Sequence, residues 1–582
     1  MIDRCTLRFV ESSCIGAIAS IALLHCAFAA THEQIVERCR ESARPQVQAC
    51  MMGKRGSGDR ESNLAACREA VGKPIVHACV LREEQKQAAK TPPPAAPKDE
   101  TAIPPKDAAA VQPVFVTPPR TIADITAILD NEKPDEAKIA ARKAQADATP
   151  PNDLSGAKLA RFYYDRATAR ALLGRNKEAV ADGQQALEVG KNASDFAQRW
   201  RIQQFIGLQY QALGDAKQTI AVFDGMVRES ERAGRRGSEI NALATIARTL
   251  FTTGDASQGN TYAGRVQALV QEARGSPNPR WRAAYAIYGP SWEADAEGTH
   301  GLMFEARGQY AEAEAAYRRG EAFRRASLQN IPKFDSPSPP EQTMQAADGT
   351  LLAVARNEAR QERLSEAEAD ARRALLGILK AQGKYAPATP NFIVGLAGIL
   401  VEQGRYQEAE KLARTALDIQ RTIGIGDDTT QTAGILSQLG NILILQRKTD
   451  EAAAVYAELG KAIAQWTPER REAFELNGSR IVALYASGQI EAGIVAAEAF
   501  VKRQIARTGE KSFDTAAARG TLAVGYARAG RDADAIREFK TAMPIMMAAA
   551  HENSEEDDPT LVAARNVRLQ RSVEFYIGVL AR

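Results

Sequence analysis

One short phrase recurs along the chain from residue 121 onward. "HGLMFEARGQYAEAEAAYRRG" (300–320) sets a small residue, a turn glycine, an aromatic residue and several alanines at offsets that return in "LAGILVEQGRYQEAEKLARTAL" (396–417) and "LAVGYARAGRDADAIREFKTA" (522–542). A unit of this size cannot bury its apolar face alone and must stack on neighbouring copies. The recurrence therefore constrains most of the chain to a repeat fold.

Each offset favours a pair of antiparallel helices, A and B. A small residue on helix A lets helix B approach, the glycine takes a left-handed turn between them, and the alanines share one narrow face of helix B. Successive turns are 40 to 43 residues apart, except for two intervals of 54 residues that must hold insertions. The predicted turn residues are Gly174, Gly214, Gly254, Gly308, Glu362, Gly404, Arg447, Gly488 and Gly530.

This pattern resembles the tetratricopeptide repeat over residues 121–582. The long period, with "ALDIQRTIGIGDDTTQTAGILSQLGNIL" (416–443), resembles the kinesin-light-chain-like subclass, because ordinary copies repeat every 34 residues or so. The resemblance implies an all-α, right-handed superhelical solenoid of about nine to ten repeats. An unpaired helix at 559–581 would follow the last repeat.

Helix A side chains line the concave wall of such a solenoid. The family's groove-facing positions, carried over residue by residue, mark eight polar or amphipathic residues that could bind a protein or peptide. They are Tyr164, Thr168, Arg201, Gln204, Gln211, Arg248, Asn441 and Tyr485. The alternative is that these side chains only solvate the inner face.

Residues 1–29 have the pattern of an export signal. Arg4 and Arg8 precede an apolar stretch, "CIGAIASIALLHCAFAA", which ends in the A-x-A pattern of a cleavage site at residues 27–29. The stretch is short for a membrane span. We therefore predict a bacterial protein that is periplasmic or secreted, with no stable membrane insertion after cleavage; the alternative is an uncleaved anchor.

Cleavage would leave four cysteines, all in the duplicated phrases "CRESARPQVQACM" and "CREAVGKPIVHACV". An even number of cysteines in an oxidising compartment predicts disulfides. We predict a helical hairpin within residues 30–90 that pairs Cys39 with Cys79 and Cys50 with Cys67. The alternative is that each phrase breaks at its central proline and bonds internally. Residues 91–120 hold nine prolines and predict an extended linker.

The sequence offers little for catalysis. The histidines of the mature chain are scattered, and neither a phosphate-binding loop nor a nucleophile elbow occurs. The cysteine spacings lack the close pairs of zinc sites. A net charge of +3 is too small to indicate nucleic acid as a partner. We therefore predict no enzyme activity, no cofactor, no metal and no nucleic-acid partner.

The leading functional hypothesis is an exported scaffold or adaptor that binds a protein or peptide in its groove. The C-terminal helix at 559–581 is a second surface for a partner or for self-association, because five apolar residues share one face. They are Val562, Leu569, Val573, Tyr576 and Leu580.

Two alternatives remain open. The chain resembles the N-terminal part of secreted bacterial repeat proteins that continue into a caspase-like CHAT domain, and would then be a regulatory half without the catalytic cysteine. An envelope glycan- or small-molecule-binding protein depends on one aromatic stripe, which could equally be core: Trp281, Tyr285, Tyr288 and Trp292.

Overall fold

The computed structural model describes residues 32–53, 63–64, 67, 76, 79, 116–192, 194–330, 339–551 and 559–581. Every regular element among these residues is a helix. The proposed signal at 1–29 and most of the proline-rich linker lie outside the described residues. The chain forms two compact units, Met1–Pro104 and Pro105–Arg582.

The first unit contains α1 (His32–Gly53) and two disulfides. Cys39 is bonded to Cys79 and Cys50 to Cys67, which confirms the stapled hairpin and excludes internal bonding within each phrase. Two cysteines eleven positions apart on one continuous helix lie about 16 Å apart, so each must find its partner on another segment. In the chain-entropy account, closing loops of this length stabilises a small unit by about 3 to 4 kcal/mol per bond.

The second unit is a helical array, which confirms the predicted all-α repeat fold. From α4 onward the helices alternate between A and B, with the short α18 preceding α19. The helices are α2 Ala123–Asn131, α3 Glu136–Asp147, α4 Gly156–Leu172, α5 Asn176–Val189, α6 Phe196–Ala212, α7 Ala216–Arg232, α8 Arg236–Thr253, α9 Ala256–Gly275, α10 Pro279–Ala306, α11 Tyr310–Leu328, α12 Pro340–Arg360, α13 Leu364–Gln382, α14 Thr389–Glu402, α15 Tyr406–Thr422, α16 Thr430–Leu445, α17 Thr449–Ala462, α18 Pro468–Glu475, α19 Gly478–Ala486, α20 Ile490–Thr508, α21 Phe513–Arg528, α22 Asp532–His551 and α23 Pro559–Leu580.

All nine predicted A–B turn residues have a positive φ. Glu362 and Arg447 adopt this conformation with φ of 71° and 63°, although a Cβ atom disfavours it by about 1 to 2 kcal/mol. The hydrogen bonds of the turn are the same with and without glycine: Lys448 N donates to Leu443 O as Arg405 N donates to Leu400 O, both at 2.9 Å. Packing of the helix pair therefore fixes the turn, and glycine only makes it easier.

Glycines on the A helices let aromatic rings of the B helices approach closely. A Cβ atom at Gly440 would lie 2.6 Å from Tyr456 Cζ, and one at Gly207 would lie 2.5 Å from Phe223 Cε2. These distances are far below van der Waals contact, so a larger residue would force the helices apart. This contact is the physical reason for the recurring small residue.

The first segment of the array packs against its later repeats. We call residues 121–132, which contain α2, the strap. Ile122, Ile125 and Leu129 of the strap are buried in the same hydrophobic cluster as residues of α12 to α17. The strap therefore packs against repeats that lie some 250 positions later in the sequence.

Polar contacts hold the N-terminal end of the strap. Arg372 of α13 donates to both carboxylate oxygens of Asp124 at 2.8 and 2.9 Å and to Thr121 O at 2.8 Å. Ile122 N donates to Glu408 Oε1 at 2.9 Å. None of the described helices combines the length and apolar composition that a bilayer crossing requires.

Candidate binding groove

A cavity of about 680 Å³ lies on the wall built by the A helices of the last four repeats. Its lining comes mainly from α14, α16, α19 and α21, and α23 contributes Ser572 and Phe575. The cavity is therefore a local, covered part of the surface that a solenoid presents to ligands.

Polar side chains on this wall link neighbouring A helices. Ser479 Oγ donates to Asn441 Oδ1 at 2.6 Å, and Gln438 Nε2 donates to Val394 O at 3.2 Å. Asn477 caps α19, where its Oδ1 accepts from Ser479 N at 2.9 Å. These bonds fix the spacing of α14, α16 and α19 and leave the wall polar but ordered.

Two glycines keep the wall open. A Cβ atom at Gly434 would meet nothing within 4 Å, and one at Gly398 would meet only Gln438 Nε2 at 3.5 Å. Apolar side chains of Leu445 and Val482 stand beside them in the lining. The result is an amphipathic recess that has room for side chains of a ligand.

Charged groups lie at the edge of the cavity. Glu402, Asp514 and Arg528 are exposed members of its lining. Arg528 Nη1 donates to Tyr485 O at 3.0 Å, and its guanidinium carbon lies 5.7 Å from the Phe575 ring centroid. The rim therefore carries both signs of charge around an apolar centre.

The helix α23 covers one end of this wall. Tyr576 packs on Phe539 with ring centroids 5.0 Å apart, and Val579 is buried. Leu580, a predicted member of the apolar face, is 56% exposed, whereas the neighbouring Val579 is buried. Val562, another predicted member of that face, has no described side chain.

Two of the eight predicted groove residues line the cavity, Asn441 and Tyr485. Asn441 is half-buried and accepts the hydrogen bond from Ser479. Tyr485 is only 1% exposed, and its hydroxyl donates to Gly493 O at 3.3 Å. Burial raises the pKa of this hydroxyl to a value above its usual range. Tyr485 therefore supports the wall from behind.

The other six predicted residues lie on α4, α6 and α8 and do not line the cavity. Arg201 and Gln211 are exposed, and Tyr164 packs edge-on against Phe205 with ring centroids 5.5 Å apart. Burial raises the pKa of Tyr164, and the charge of nearby Arg201 opposes that shift. Their assignment to the groove remains a prediction.

The remaining three of these six side chains contact residues of the array. Thr168 Oγ1 donates to Tyr164 O at 2.9 Å, and Gln204 Nε2 donates to Asn241 Oδ1 at 2.8 Å. Arg248 lies 3.8 Å from Asp295. Their polar groups join neighbouring turns and helices.

Several lining residues were not predicted from the sequence, above all Gly434, Ser479 and Phe575. Gly434 offered a signal: it precedes Gly440 by six positions, so on one helix the two glycines face different sides. Gly440 contacts helix B. Gly434 therefore lies on another face of α16, which lines the cavity.

Three of the four aromatic residues of the stripe on α10 belong to a core cluster or pack against it, namely Trp281, Tyr285 and Trp292. Trp292 is buried and lies 5.3 Å from Trp281 and 6.4 Å from Tyr285, measured between ring centroids. Tyr285 donates to Glu293 Oε1 at 2.5 Å, while Tyr288 is half-exposed. Among the described residues, no cluster of histidine, cysteine, aspartate or glutamate is suited to hold a metal ion.

Residues 389–459 match the family model described as tetratricopeptide repeat. This stretch runs from the start of α14 into α17 and includes two of the A helices that line the cavity. The match shows tetratricopeptide repeats in this stretch, and the helices on either side of it form an array of the same all-helical, repeated kind. The resemblance to CHAT-containing proteins remains a prediction.

Among solved structures, the chain is similar to the crystal structure of BtubC (BKLC) from P. vanneervenii. The identity is 16%, the TM-score is 0.28, and the similarity covers 51% of this chain and 93% of that chain. A score this low carries no argument. No curated protein matches the chain.

Proposed function

We propose that this tetratricopeptide repeat protein is an exported, non-enzymatic scaffold that binds a peptide segment of a protein partner on its A-helix wall. Repeats of this kind are suited to protein interactions. The observation that carries the proposal is the covered recess between α14, α16, α19 and α21, which joins open glycine positions to ordered polar groups.

The chemistry of the recess suits a peptide. A volume of about 680 Å³ takes a few side chains, and pockets of this size hold their ligands by apolar burial with a few polar contacts. Leu445 and Val482 would receive apolar side chains, while Asn441 and Ser479 are placed to bond to main-chain groups. The exposed Glu402, Asp514 and Arg528 would select the charges that flank the bound segment.

The disulfides support export. The described bonds join all four cysteines that follow residue 29. Such bonds persist in oxidising compartments and are rare in the cytosol. With the export pattern at 1–29, this supports a periplasmic or secreted protein.

A matched pair of glycine substitutions tests the groove. Gly434→Trp fills the recess from α16, whereas Gly460→Trp adds the same ring on α17, where a Cβ atom also meets nothing within 4 Å. Both sites belong to one repeat and both changes remove a helical glycine. A random-peptide phage library is selected on the wild-type chain, and the selected peptides are measured on both variants by fluorescence anisotropy.

We expect Gly434→Trp to weaken binding by roughly tenfold or more and Gly460→Trp to leave it within about twofold. Equal losses in both variants, with unchanged unfolding curves, would place the binding site elsewhere. A selection that yields no binding peptide would contradict a peptide-binding scaffold.

A further inference from the structure

The position of α23 differs from that of a helix continuing the stack. In a solenoid each repeat contacts its immediate neighbours. α23 packs on α21 and α22 but also lies against α14, which is three repeats earlier. The helix therefore crosses the wall on which the cavity lies.

The buried side of α23 has the spacing of a helix bound in a groove. Leu569, Val573 and Tyr576 pack against the core cluster of α19 to α22, and Ser572 and Val579 are buried. Steps of three and four residues place such side chains on one face of a helix, as in helix-in-groove recognition.

Small and aromatic residues of α21 and α22 receive this face. A Cβ atom at Gly520 would lie 3.0 Å from Ser572 Oγ, so α23 approaches the backbone of α21 closely. Tyr576 meets Phe539, and Phe575 lies by Arg528 at the edge of the cavity. The wall thus accommodates an amphipathic helix with two adjacent aromatic residues.

We propose that α23 is an internal ligand of this wall, and that the external partner is an amphipathic helix with the same anchor pattern that takes its place. This rests on the proposed function. A short tether gives an internal segment an effective concentration of roughly millimolar, so a free helix must compete with α23 to bind. Weakening α23 therefore strengthens external binding.

Two variants of the full chain change how firmly α23 is attached: one fixes it to α21 and the other weakens its packing. Gly520→Cys with Ser572→Cys locks it, since a Cβ atom at 520 would be 3.7 Å from Ser572 Cβ, within the range for a disulfide. Phe575→Ala with Tyr576→Ala loosens it. The probe is a fluorescein-labelled synthetic peptide of residues 559–581. Peptide mapping verifies the new bond, and the chain has no native cysteine after Cys79 to compete with it.

We expect the probe to bind the loosened chain roughly tenfold more tightly than the wild type, and the locked chain not at all. Ser572→Cys alone should behave as the wild type, because it changes only one atom of the side chain and cannot form the bond. A probe carrying Tyr576→Ala should lose roughly tenfold in affinity for the loosened chain, whereas one carrying Ile577→Ala should not, because Ile577 is 60% exposed.

Equal binding of the probe to the locked and loosened chains would overturn the inference, as would no binding to the loosened chain. The proposed function fails separately. Library peptides that bind the locked chain as well as the wild type, yet lose affinity with Gly434→Trp, would leave the recess as a binding site and remove α23 as its internal ligand.

Discussion

The strap and α23 are two segments that cross the array, and they are attached in different ways. Ile125 and Leu129 of the strap are fully buried in the largest hydrophobic cluster. In α23, Tyr576 and Phe575 stay half-buried, and Ile577 and Leu580 face outward. The strap is therefore anchored by several fully buried apolar side chains, whereas α23 contributes one, Val579, and its other packed apolar side chains are half-buried.

Their polar contacts differ in the same sense. The strap satisfies backbone groups at both ends: Ile122 N bonds to Glu408, and the Glu132 carboxylate accepts from Lys384 N at 2.8 Å. A buried backbone group without a partner costs free energy, so removing the strap would expose several such groups at once. α23 is held mainly by side-chain packing against Phe539 of α22 and Gly520 of α21. Of the two segments, α23 is therefore the one that is suited to be displaced.

The largest expected effect comes from the apolar anchor of the strap. Ile125→Ala should lower the free energy of unfolding by about 3 kcal/mol, because it removes a fully buried side chain and leaves a cavity. Ile128→Ala on the same helix is the control, since Ile128 is 44% exposed and should change stability by less than about 0.5 kcal/mol. Urea unfolding measures both. Equal effects would mean that the strap is not a part of the core.

The next effect concerns a carboxylate cluster beside α13, the helix whose Arg372 binds the strap. Asp370 of α13 belongs to this cluster. Arg318 donates to Glu314, Glu358 and Asp370 at 2.8, 2.5 and 3.0 Å. Burial and the negative charge of Asp370 raise the pKa of Glu358 to about 8. In the unfolded chain this carboxyl ionises near its usual 4.5.

Between pH 4.5 and 8 the folded protein holds a proton that the unfolded chain releases, so stability falls as the pH rises. Glu358→Gln removes this loss. We expect the variant to match the wild type at pH 5 and to exceed it by about 3 kcal/mol at pH 8 in urea unfolding. A difference that stays constant across this range would refute the assignment.

Glu410 provides a control, because its pKa is lowered where that of Glu358 is raised. Burial would raise its pKa, but hydrogen bonds from Lys448, Arg414 and Gln446 outweigh burial and lower the pKa to about 2. Its ionised form therefore stabilises the fold above the usual pKa, and this contribution is lost as the pH falls toward 2. Glu410→Gln should destabilise at neutral pH, with a gap that narrows in acid.

A smaller effect is expected for α23. Tyr576→Ala should cost about 1 kcal/mol, which is roughly a fivefold change in an opening equilibrium, because the ring is only half-buried. Hydrogen exchange should accelerate at amides 569–580 and remain unchanged in the strap. Ile577→Ala is the control on the outer face. Acceleration in both segments would show that the two ends are coupled, against the comparison.

Local contacts could be predicted from the sequence, whereas distant ones could not. The turn residues recur in every repeat and the glycine-to-aromatic contact recurs in three of them, at Gly207, Gly301 and Gly440, so their pattern is visible in one chain. The bonds between Arg372 and Asp124 span 248 positions without any periodic signal. Tyr485 was predicted for the groove because family positions place it there, but its ring turns toward Gly525, whose missing side chain leaves room behind the wall.

The smallest effect is expected from the ion pair of the strap, and it can be compared with the effect of the buried apolar side chain of Ile125. The Asp124 carboxylate is 45% exposed, while Arg372 is buried and keeps its bonds to Glu368 and Thr121 O without it. Exposed ion pairs contribute little, so Asp124→Asn should lower stability by only about 0.5 kcal/mol. Urea unfolding at low and high salt measures this loss, which should shrink as salt screens the pair. A loss comparable to that of Ile125→Ala would mean that the ion pair, and not the buried apolar face, attaches the strap.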